Sequence, residues 1–547
     1  MAWEAVRSAM AQPGLRRIML AFGLFRIAEM STWLTLLVWA YDQGGTTAAG
    51  IIAVGQLVPA TLAAPLASTL TDRMPRLRAL RLGYLLQAAA HLLTAGVLLA
   101  GASLWLVTVV AAASACTLTL TRPVHHALVP ELSSSPEELT AGNAASTAFE
   151  GVANFIGPAL AGLLLLVVAP MWIFMTMAAA CLVCVASTRG VLVRQTFPSE
   201  EPAAYWSDAV EGVKVVVRDP AATTLTAIVT GQFIVVGILD ILAVALAFTV
   251  LQTSAAGPGI LTSALGVGAL MGAAASVAMV GRRQLAPWLA TGMLITSIPL
   301  ALMALSASFG LAVGLFAVVG LGRAVVDVAA RTLLQRSMSP RVLARIFGVQ
   351  EALLMGGTAI GSAIAPLLIV GVGVRGAFMT TAILLPAVGL ACWIQVRRLD
   401  RAAPAGESIR LLRSVGMFAP LPLSQLEQLA AALQPAGVFT DGEVILRQGD
   451  AGDRCFIVVR GTVAIERAAT PVAELGRGEI VGEIALLRDV PRTATARAVG
   501  TTELTALDRE TFLLVVAGSA AASATAHEQV GRRLDDLGPP EVAPAPG

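Results

Sequence analysis

GEIVGEIALLRDVPRTATA, residues 478–496, decides how the end of the chain is read. Gly482 lets the backbone turn tightly, residues 484–487 can form one short helical turn whose free N–H groups face an anion, and Arg492 adds a fixed positive fork. Glu483 sits between these groups, where a carboxylate repels a phosphate unless it faces something else, such as a sugar hydroxyl. An acid for a ribose and an arginine for a phosphate point to a nucleotide.

The stretch resembles the phosphate-binding cassette of cyclic nucleotide-binding domains. That family's pattern, F-G-E-[IL]-A-L-L followed after a few residues by P-R-[AST]-A, is matched except that Val481 stands at the Phe, a packing position. Upstream, GEVILRQGDAGDRCFIVVRGTVAIE (442–466) reads as strands cut by glycines, with short amphipathic helices before it and helix again after Asp508. The resemblance therefore extends to a whole β-roll (a jelly roll with flanking helices, α+β) over 411–535. It implies that Glu483 binds the ribose 2′-hydroxyl and Arg492 the cyclic phosphate, with the backbone at Gly482, Ile484 and Ala485 meeting the remaining oxygens. The Thr493 hydroxyl could meet a guanine, so the implied regulatory ligand is cAMP or cGMP, and no other cofactor is expected. The competing reading is a β-roll that binds nothing and serves as a docking module. The lid helix that would cover the base has no register readable from the Ala-rich run to Ala526.

The rest of the chain obeys different rules. Of 547 residues 56% are hydrophobic and 13% charged, with a mean hydropathy of +0.78, which excludes an ordinary soluble globular protein. The net charge of +2 conceals an asymmetry: residues 1–404 carry 24 Lys and Arg against 17 Asp and Glu, residues 405–547 carry 13 against 18. The five cysteines show no paired framework. A hydrocarbon core of about 30 Å needs roughly 20 apolar residues per helix. Twelve such runs precede residue 397, near 18–40, 47–70, 79–100, 103–121, 142–168, 170–188, 221–250, 257–280, 286–306, 309–330, 346–370 and 376–396. Loops with Arg16/Arg17, Arg73 to Arg81, Arg189 to Arg218, Arg282/Arg283, Arg331 to Arg345 and Arg397 to Arg401 share one side, which the positive-inside rule makes cytoplasmic. Both termini are then cytoplasmic and the chain is a multi-pass protein of a plasma (inner) membrane.

RPVHHALVPEL from Arg122, with NFIGPALAG up to Pro158 and beyond, has a counterpart in RTLLQRSMSP from Arg331 and TAIGSAIAPLL around Pro366, 208 to 209 residues on. Two six-helix halves in the same orientation (about 1–188 and 221–396, joined by a cytoplasmic loop 189–220) resemble the parallel repeat of a major facilitator transporter, an all-α polytopic domain over 1–396. Asp72-Arg73 in TDRMPR resembles a shortened form of the family's G-x-x-x-D-R-x-G-R-R loop, and GVANFIGPALAG (151–162) its fifth-helix G-P motif in exporters. RPVHHALVPEL and EGVKVVVRDP resemble the branch containing enterobactin and macrolide exporters. The resemblance implies gating roles for Asp72, Arg73, Gly157 and Pro158.

A charge at mid-bilayer costs about 2.5 to 3.5 kcal/mol on insertion scales, so an ionisable side chain inside a helix faces a cavity or a partner. Arg26 and Glu29 share a face of the first run, and adding 208 to Glu29 lands three residues before Asp240 in the seventh. Proton coupling or attraction of a cationic cargo is the functional reading, a structural ion pair the other. Arg323, Asp327 and Arg331 form a ladder in the tenth run, read as a charge network or gate. His125 and His126 are expected at lipid headgroups, His91 and the Cys181/Cys184 pair in packing. No metal, catalytic group, P-loop or nucleic-acid partner is expected, and the sequence leaves the oligomeric state open. Residues 397–410 read as a linker and 536–547 as a disordered tail. The whole is expected to be a secondary transporter, a proton-coupled exporter of a small amphiphilic molecule regulated by cytoplasmic cyclic nucleotide. The alternatives are a membrane-anchored nucleotide sensor or scaffold without transport, and a transporter whose tail only mediates assembly.

Overall fold

In a computed structural model the chain forms two compact units, with the main boundary between Arg398 and Leu399. The structure describes residues 12–537 apart from 73, 133–135, 192–212, 215, 280–283, 306, 338–339, 403–405, 422, 469 and 518–519.

Among the described residues, 10 helices are long and apolar enough to cross a membrane. Helix α1 (Pro13–Asp72) is broken at Gly44–Gly45 and helix α10 (Pro340–Ala402) at Gly373, so each supplies two crossing arms and the expected twelve segments result. Gly45, at φ 62° and ψ −152°, takes a turn that a residue with a Cβ resists. Between them run α2 (Arg76–Leu99), α3 (Leu104–Leu132), α4 (Pro136–Leu164), α5 (Pro170–Ser187), α6 (Pro220–Ala245, continued by a π-turn over Leu246–Val250), α7 (Ala256–Ala275), α8 (Ala286–Met303) and α9 (Phe309–Ser337). Asp219 caps α6 by accepting from the N–H groups of Ala221 and Ala222, and Pro220 occupies a first-turn position whose N–H would go unused. Large apolar side chains such as Trp105, Val109, Leu367, Val370 and Leu390 remain exposed, the surface a bilayer covers.

The first arm of α1 lies at the centre of the first half. Its Leu15, Ile18 and Phe25 pack with Tyr84 of α2, Leu128 of α3 and Ile173 of α5. Cys181 and Cys184 are buried free thiols of this core. The expectation for His125 is corrected: it is fully buried, stacked on Phe22 with ring centroids 3.6 Å apart, and Ser146 Oγ lies 3.0 Å from its Nε2. A flat ring against an aromatic face and a hydroxyl partner offset part of the cost of burying the imidazole away from headgroups, while its Nδ1 is buried without a hydrogen-bond partner.

Arginines tie the helix ends on the side that carries the basic loops. Arg17 of α1 donates to the carbonyl of Arg189, and Arg81 of α2 to the Thr188 hydroxyl and carbonyl, at 2.9, 3.1 and 2.6 Å, all just beyond the end of α5. Arg76 reaches the Ala127 carbonyl and the Glu131 carboxylate of α3. The last carbonyls of a helix lack intrahelical donors and carry the negative end of its dipole, so the Arg17 and Arg81 guanidinium groups cap the end of α5.

Small residues set the crossings. A Cβ on Gly157 of α4 would lie 2.5 Å from Met30 Cβ, and the Ser31 hydroxyl donates to the Gly157 carbonyl at 2.9 Å. In the second half a Cβ on Gly237 of α6 would meet the Thr358 carbonyl at 2.0 Å, and Ser362 of α10 donates to the Gly237 carbonyl at 3.3 Å. The two halves thus repeat one device: a glycine admits a neighbouring helix, and a serine ties the two backbones. Between halves, Gly259 of α7 abuts Gly162 and the Pro158 carbonyl of α4, and Gly50 abuts Pro366.

The second unit carries a six-stranded antiparallel sheet: β1 (Gln434–Phe439), β2 (Val444–Leu446), β3 (Arg454–Arg467), β4 (Thr470–Leu475), β5 (Ile480–Val481) and β6 (Thr495–Asp508), in the order β1-β6-β3-β4 with β2 also on β6 and β5 on β3. The long β3 and β6 pair from Arg454 with Asp508 to Glu466 with Thr495, and everything between them in sequence forms one inserted excursion. That excursion holds helix α13 (Glu483–Arg488). Around the sheet stand α11 (Gly406–Ser414), a 3₁₀ turn at Gly416–Phe418, α12 (Leu423–Ala432), α14 (Arg509–Ala517) and α15 (Ala520–Leu537). One core joins these helices through Leu412, Phe418, Leu429, Phe512 and Val530, and another fills the roll with Phe456, Val463, Val481 and Leu504.

The linker span 397–410 is helical where described: α10 runs on to Ala402, and α11 begins at Gly406. Residues 536 and 537 are the last of α15, while 538–547 lie outside the described residues.

Replacing Arg81 by Ala leaves the Thr188 carbonyl without its charged donor and should lower the stability of the membrane unit by about 1–3 kcal/mol, the part-exposed site being screened. Thermal unfolding in detergent, followed by tryptophan fluorescence, reads this; a midpoint equal to that of the unaltered protein would refute the capping role.

Candidate functional site

In the membrane unit the structure gathers the ionisable residues into two clusters. Glu29 is held between Arg26, an ion pair one turn away on α1, and Arg122 of α3, at 3.2 Å. Arg26 also reaches the Asn154 side-chain oxygen of α4 at 3.5 Å. Arg26 and the Glu29 carboxylate are 4% and 11% exposed. Beside them, His126 and Glu150 approach to 3.8 Å. In the second half Asp240 of α6 lies within electrostatic reach of Arg323 of α9 and of the Trp33 indole of α1, and Arg323 within reach of Asp327. Asp327 pairs with Arg331 at 3.1 Å, and the Gln232 amide donates to the Arg323 carbonyl at 3.2 Å. Arg26 and Arg323 each keep a buried Nε without a hydrogen-bond partner.

The expected pairs Arg26–Glu29 and Asp327–Arg331 are thus in contact. Arg122, Asn154 and Trp33 were not singled out for these clusters, since helix-to-helix neighbours have no sequence spacing to betray them. Of the expected gating residues, Gly157 and Pro158 form the crossings of α4 with α1 and α7. Asp72 ends α1, its side chain outside the described residues, and Arg73 lies outside them altogether.

In the second unit the cassette turns on Gly482. At φ 87° and ψ 5° it closes β5 and opens α13, and a Cβ there would strike Arg492 Nη1 at 2.5 Å. Arg492 Nη1 donates to the Gly482 carbonyl at 2.8 Å and Nη2 to the Arg454 carbonyl at 2.6 Å, with Asp453 3.7 Å away. Burial pulls the Arg492 guanidinium below its ordinary value, with Asp453 opposing. The Arg454 guanidinium holds Asp453 below the usual carboxylate range. Glu483, 1% exposed, pairs with Arg533 of α15 at 2.6 Å, and the same Arg533 Nη1 donates to the Ile480 carbonyl at 2.6 Å. Burial pushes the Glu483 carboxyl above its ordinary value, while Arg533 pulls it back.

Gly482, Glu483, Ile484, Ala485, Arg492 and Thr493 all line one cavity of roughly 90 Å³, open on one side. Its other walls are aliphatic, among them Leu446, Ile465 and Val472, except for Arg533. Arg533 is the residue sequence reasoning missed. The signal lay in Ala522, Ala526 and Val530, four apart and buried in the helical core, which fix a face of α15 that Arg533 shares three residues on.

The major facilitator superfamily profile matches residues 18–349, the greater part of the chain. The chain belongs to the major facilitator superfamily. The superfamily member also matches the cyclic nucleotide-binding domain profile over 437–519, so a cyclic nucleotide-binding domain follows the membrane unit. The facilitator is 30% identical over 390 residues to an uncharacterized MFS-type transporter, y4rN, of Sinorhizobium fredii, spanning 66% of this chain and 90% of the relative. Its tail is 40% identical over 114 residues to the cAMP-dependent protein kinase regulatory subunit of Dictyostelium discoideum (19% of this chain, 33% of the relative), and 34% identical over 125 residues to a cyclic nucleotide-gated potassium channel of Rhizobium etli (23% and 34%). The chain therefore spans only about a third of the length of these two tail relatives.

A carboxyl whose folded-state value lies above its unfolded one favours folding in its protonated form. That contribution is present below the ordinary carboxylate range and is lost as pH rises through the folded value. Replacing Arg533 by Ala leaves the charged form of Glu483 buried and unpaired, so the tail should lose up to about 3–5 kcal/mol in mildly alkaline buffer and less in mildly acidic buffer. Hydrogen-exchange protection of β3 and β6, corrected for intrinsic rates, measures both; an equal loss in the two buffers would contradict the pairing.

Proposed function

We propose that the chain is a secondary active transporter of a plasma (inner) membrane, a proton-coupled exporter of a small amphiphilic molecule, whose activity is set by cytoplasmic cAMP or cGMP. The observation that carries the regulatory part is the cavity over Gly482, where a buried carboxylate and a buried guanidinium stand on opposite sides of a backbone turn. Glu483 suits a ribose 2′-hydroxyl and Arg492 a cyclic phosphate, with the open side left for the base. Coupling to protons is supported by Glu29 and Asp240, acids on the first helix of each half, each beside an arginine. The basic helix ends tied by Arg17, Arg76 and Arg81 support a cytoplasmic placing of that side and of both termini. Regulation then requires only that the nucleotide prefer one transporter state, a coupling of about 1–3 kcal/mol changing affinity 5- to 150-fold.

One observation favours a second reading, a tail that only mediates assembly. Arg492 and Glu483 already have protein partners, the first in the Gly482 and Arg454 carbonyls and the second in Arg533.

Titration of cAMP and cGMP into the purified protein in detergent separates the two. Saturable binding that weakens tenfold or more in Arg492→Ala, and less in the charge-keeping Arg492→Lys, supports the sensor. Well-folded protein that binds neither nucleotide, or binds equally well after Arg492→Ala, supports assembly instead. Flux in proteoliposomes should then respond to the bound nucleotide and be abolished by Glu29→Gln or Asp240→Asn; flux indifferent to both substitutions removes the proton-coupling part.

A further inference from the structure

Three helices meet at the basic end of the first half: α1 and α2 begin there, and α5, packed against both, ends there. Cα–Cβ bonds tilt toward a helix N-terminus, so the side chains of Arg17 on α1 and Arg81 on α2 lean out of the membrane span rather than into it. Both arrive on the turn that closes α5. Arg17 Nη1 donates to the Arg189 carbonyl at 2.9 Å, and Arg81 donates to the Thr188 hydroxyl and carbonyl at 3.1 and 2.6 Å. Gly190 follows at φ 76°, and a Cβ there would lie 3.1 Å from Arg17 Nη1, so the glycine leaves room for the guanidinium over the turn. Two guanidinium groups from different helices thus stand on successive residues of one turn.

The atoms that hold these arginines are neutral. Arg76, at the same end, is neutralised by Glu131 at 2.7 Å, whereas among the described residues no carboxylate pairs with Arg17 or Arg81. A guanidinium has five N–H donors, of which Arg17 commits one and Arg81 two among the described residues, so most of each fork is left for a ligand. Beyond the charges the surface turns aliphatic. Leu20 lies three residues past Arg17 and Leu85 four past Arg81, so each shares a helix face with its arginine, and Val183 stands near the end of α5. All three are exposed, at 48%, 45% and 53%. A free anion has no use for that aliphatic surface, but an amphiphile does. We propose that Arg17 and Arg81, set on the end of α5, hold the phosphate of an anionic phospholipid whose acyl chains run along Leu20, Leu85 and Val183. Two cations side by side without a counter-charge repel each other, and the headgroup relieves that repulsion. The site uses none of the residues assigned to transport or to the nucleotide.

The test titrates phosphatidylglycerol, phosphatidylcholine and inorganic phosphate into the full-length protein in neutral detergent, with bound lipid counted by native mass spectrometry. Phosphatidylglycerol should bind saturably at concentrations where phosphatidylcholine does not. Arg17→Gln, which keeps an N–H for the Arg189 carbonyl and removes the charge, should weaken that binding about tenfold, and Arg17→Gln with Arg81→Gln should weaken it further. Arg17→Lys, which keeps the charge and loses the fork, should fall between. Arg16→Gln and Arg78→Gln remove the same charge from exposed positions on the same two helices and should change binding less than twofold. Should Arg81→Gln loosen the end of α5, seen as a lowered unfolding midpoint without lipid, Arg17→Gln alone carries the comparison, since it leaves Thr188 held. Phosphatidylglycerol bound no better than phosphatidylcholine, or bound equally well after Arg17→Gln, overturns the proposal. Equal weakening by Arg16→Gln and Arg78→Gln overturns it too, as the mark of diffuse charge attraction. Inorganic phosphate that displaces the lipid at millimolar concentration makes this a site for a free anion and overturns the lipid assignment.

Discussion

An ionised side chain withdrawn from water must find an opposite charge or a set of dipoles, and both units are arranged around that requirement. In the membrane unit Glu29 draws Arg26 from its own helix and Arg122 from α3, which fixes the spacing of helices that apolar packing alone would leave interchangeable. In the tail, Arg492 answers the same need with two backbone carbonyls, one at the turn before α13 and one at the start of β3. It thereby ties the inserted excursion to the central strands. The arginine that would meet a phosphate is therefore also the one that holds the cassette in shape.

The cassette was legible because its chemistry is local. A glycine at positive φ, a short helix and an arginine ten residues on are read along one stretch, and the fold brings the six expected residues to one cavity. The membrane segments were legible for the same reason, since apolar length is a property of each run. Partners from distant helices were hidden. Nothing near Glu29 in sequence points to Arg122, and the Ala-rich start of α15 fixes a face for Arg533 without naming Glu483 as its partner. His125 shows the converse: a histidine next to an arginine at a helix end reads as interfacial, yet a phenylalanine one helix away takes its ring inside.

The two halves also show how one constraint can be met with different residues after duplication. Close crossing of the first and fifth helices of a half needs a small residue and gains from a hydroxyl that binds a backbone carbonyl. In the first half the serine is on α1 and the receiving glycine on α4; in the second the serine is on α10 and the glycine on α6. Donor and acceptor have changed places across the same crossing. The repeat conserves geometry rather than residues, which is why an offset of 208 lands near Asp240 without reaching it.

That arrangement divides the contacts by strength. In the first half, helices are joined by the Glu29–Arg122 ion pair, by arginines on carbonyls at the end of α5 and by the Ser31 hydroxyl on the Gly157 carbonyl; in the second, by the Ser362 hydroxyl on the Gly237 carbonyl and the Gln232 amide on the Arg323 carbonyl. Across the 4/7 crossing and at Gly50–Pro366, the contacts are mostly backbone against glycine or proline, with Ser263 adding one hydroxyl bond to the Phe155 carbonyl. In a bilayer, van der Waals packing of this kind has no hydrophobic driving force behind it, since lipid tails can replace one apolar face as well as another. Each half is then the stiffer body and the seam between halves the weaker one. A transporter that alternates its access needs that ordering, because a seam as strong as the halves would leave no motion cheaper than unfolding.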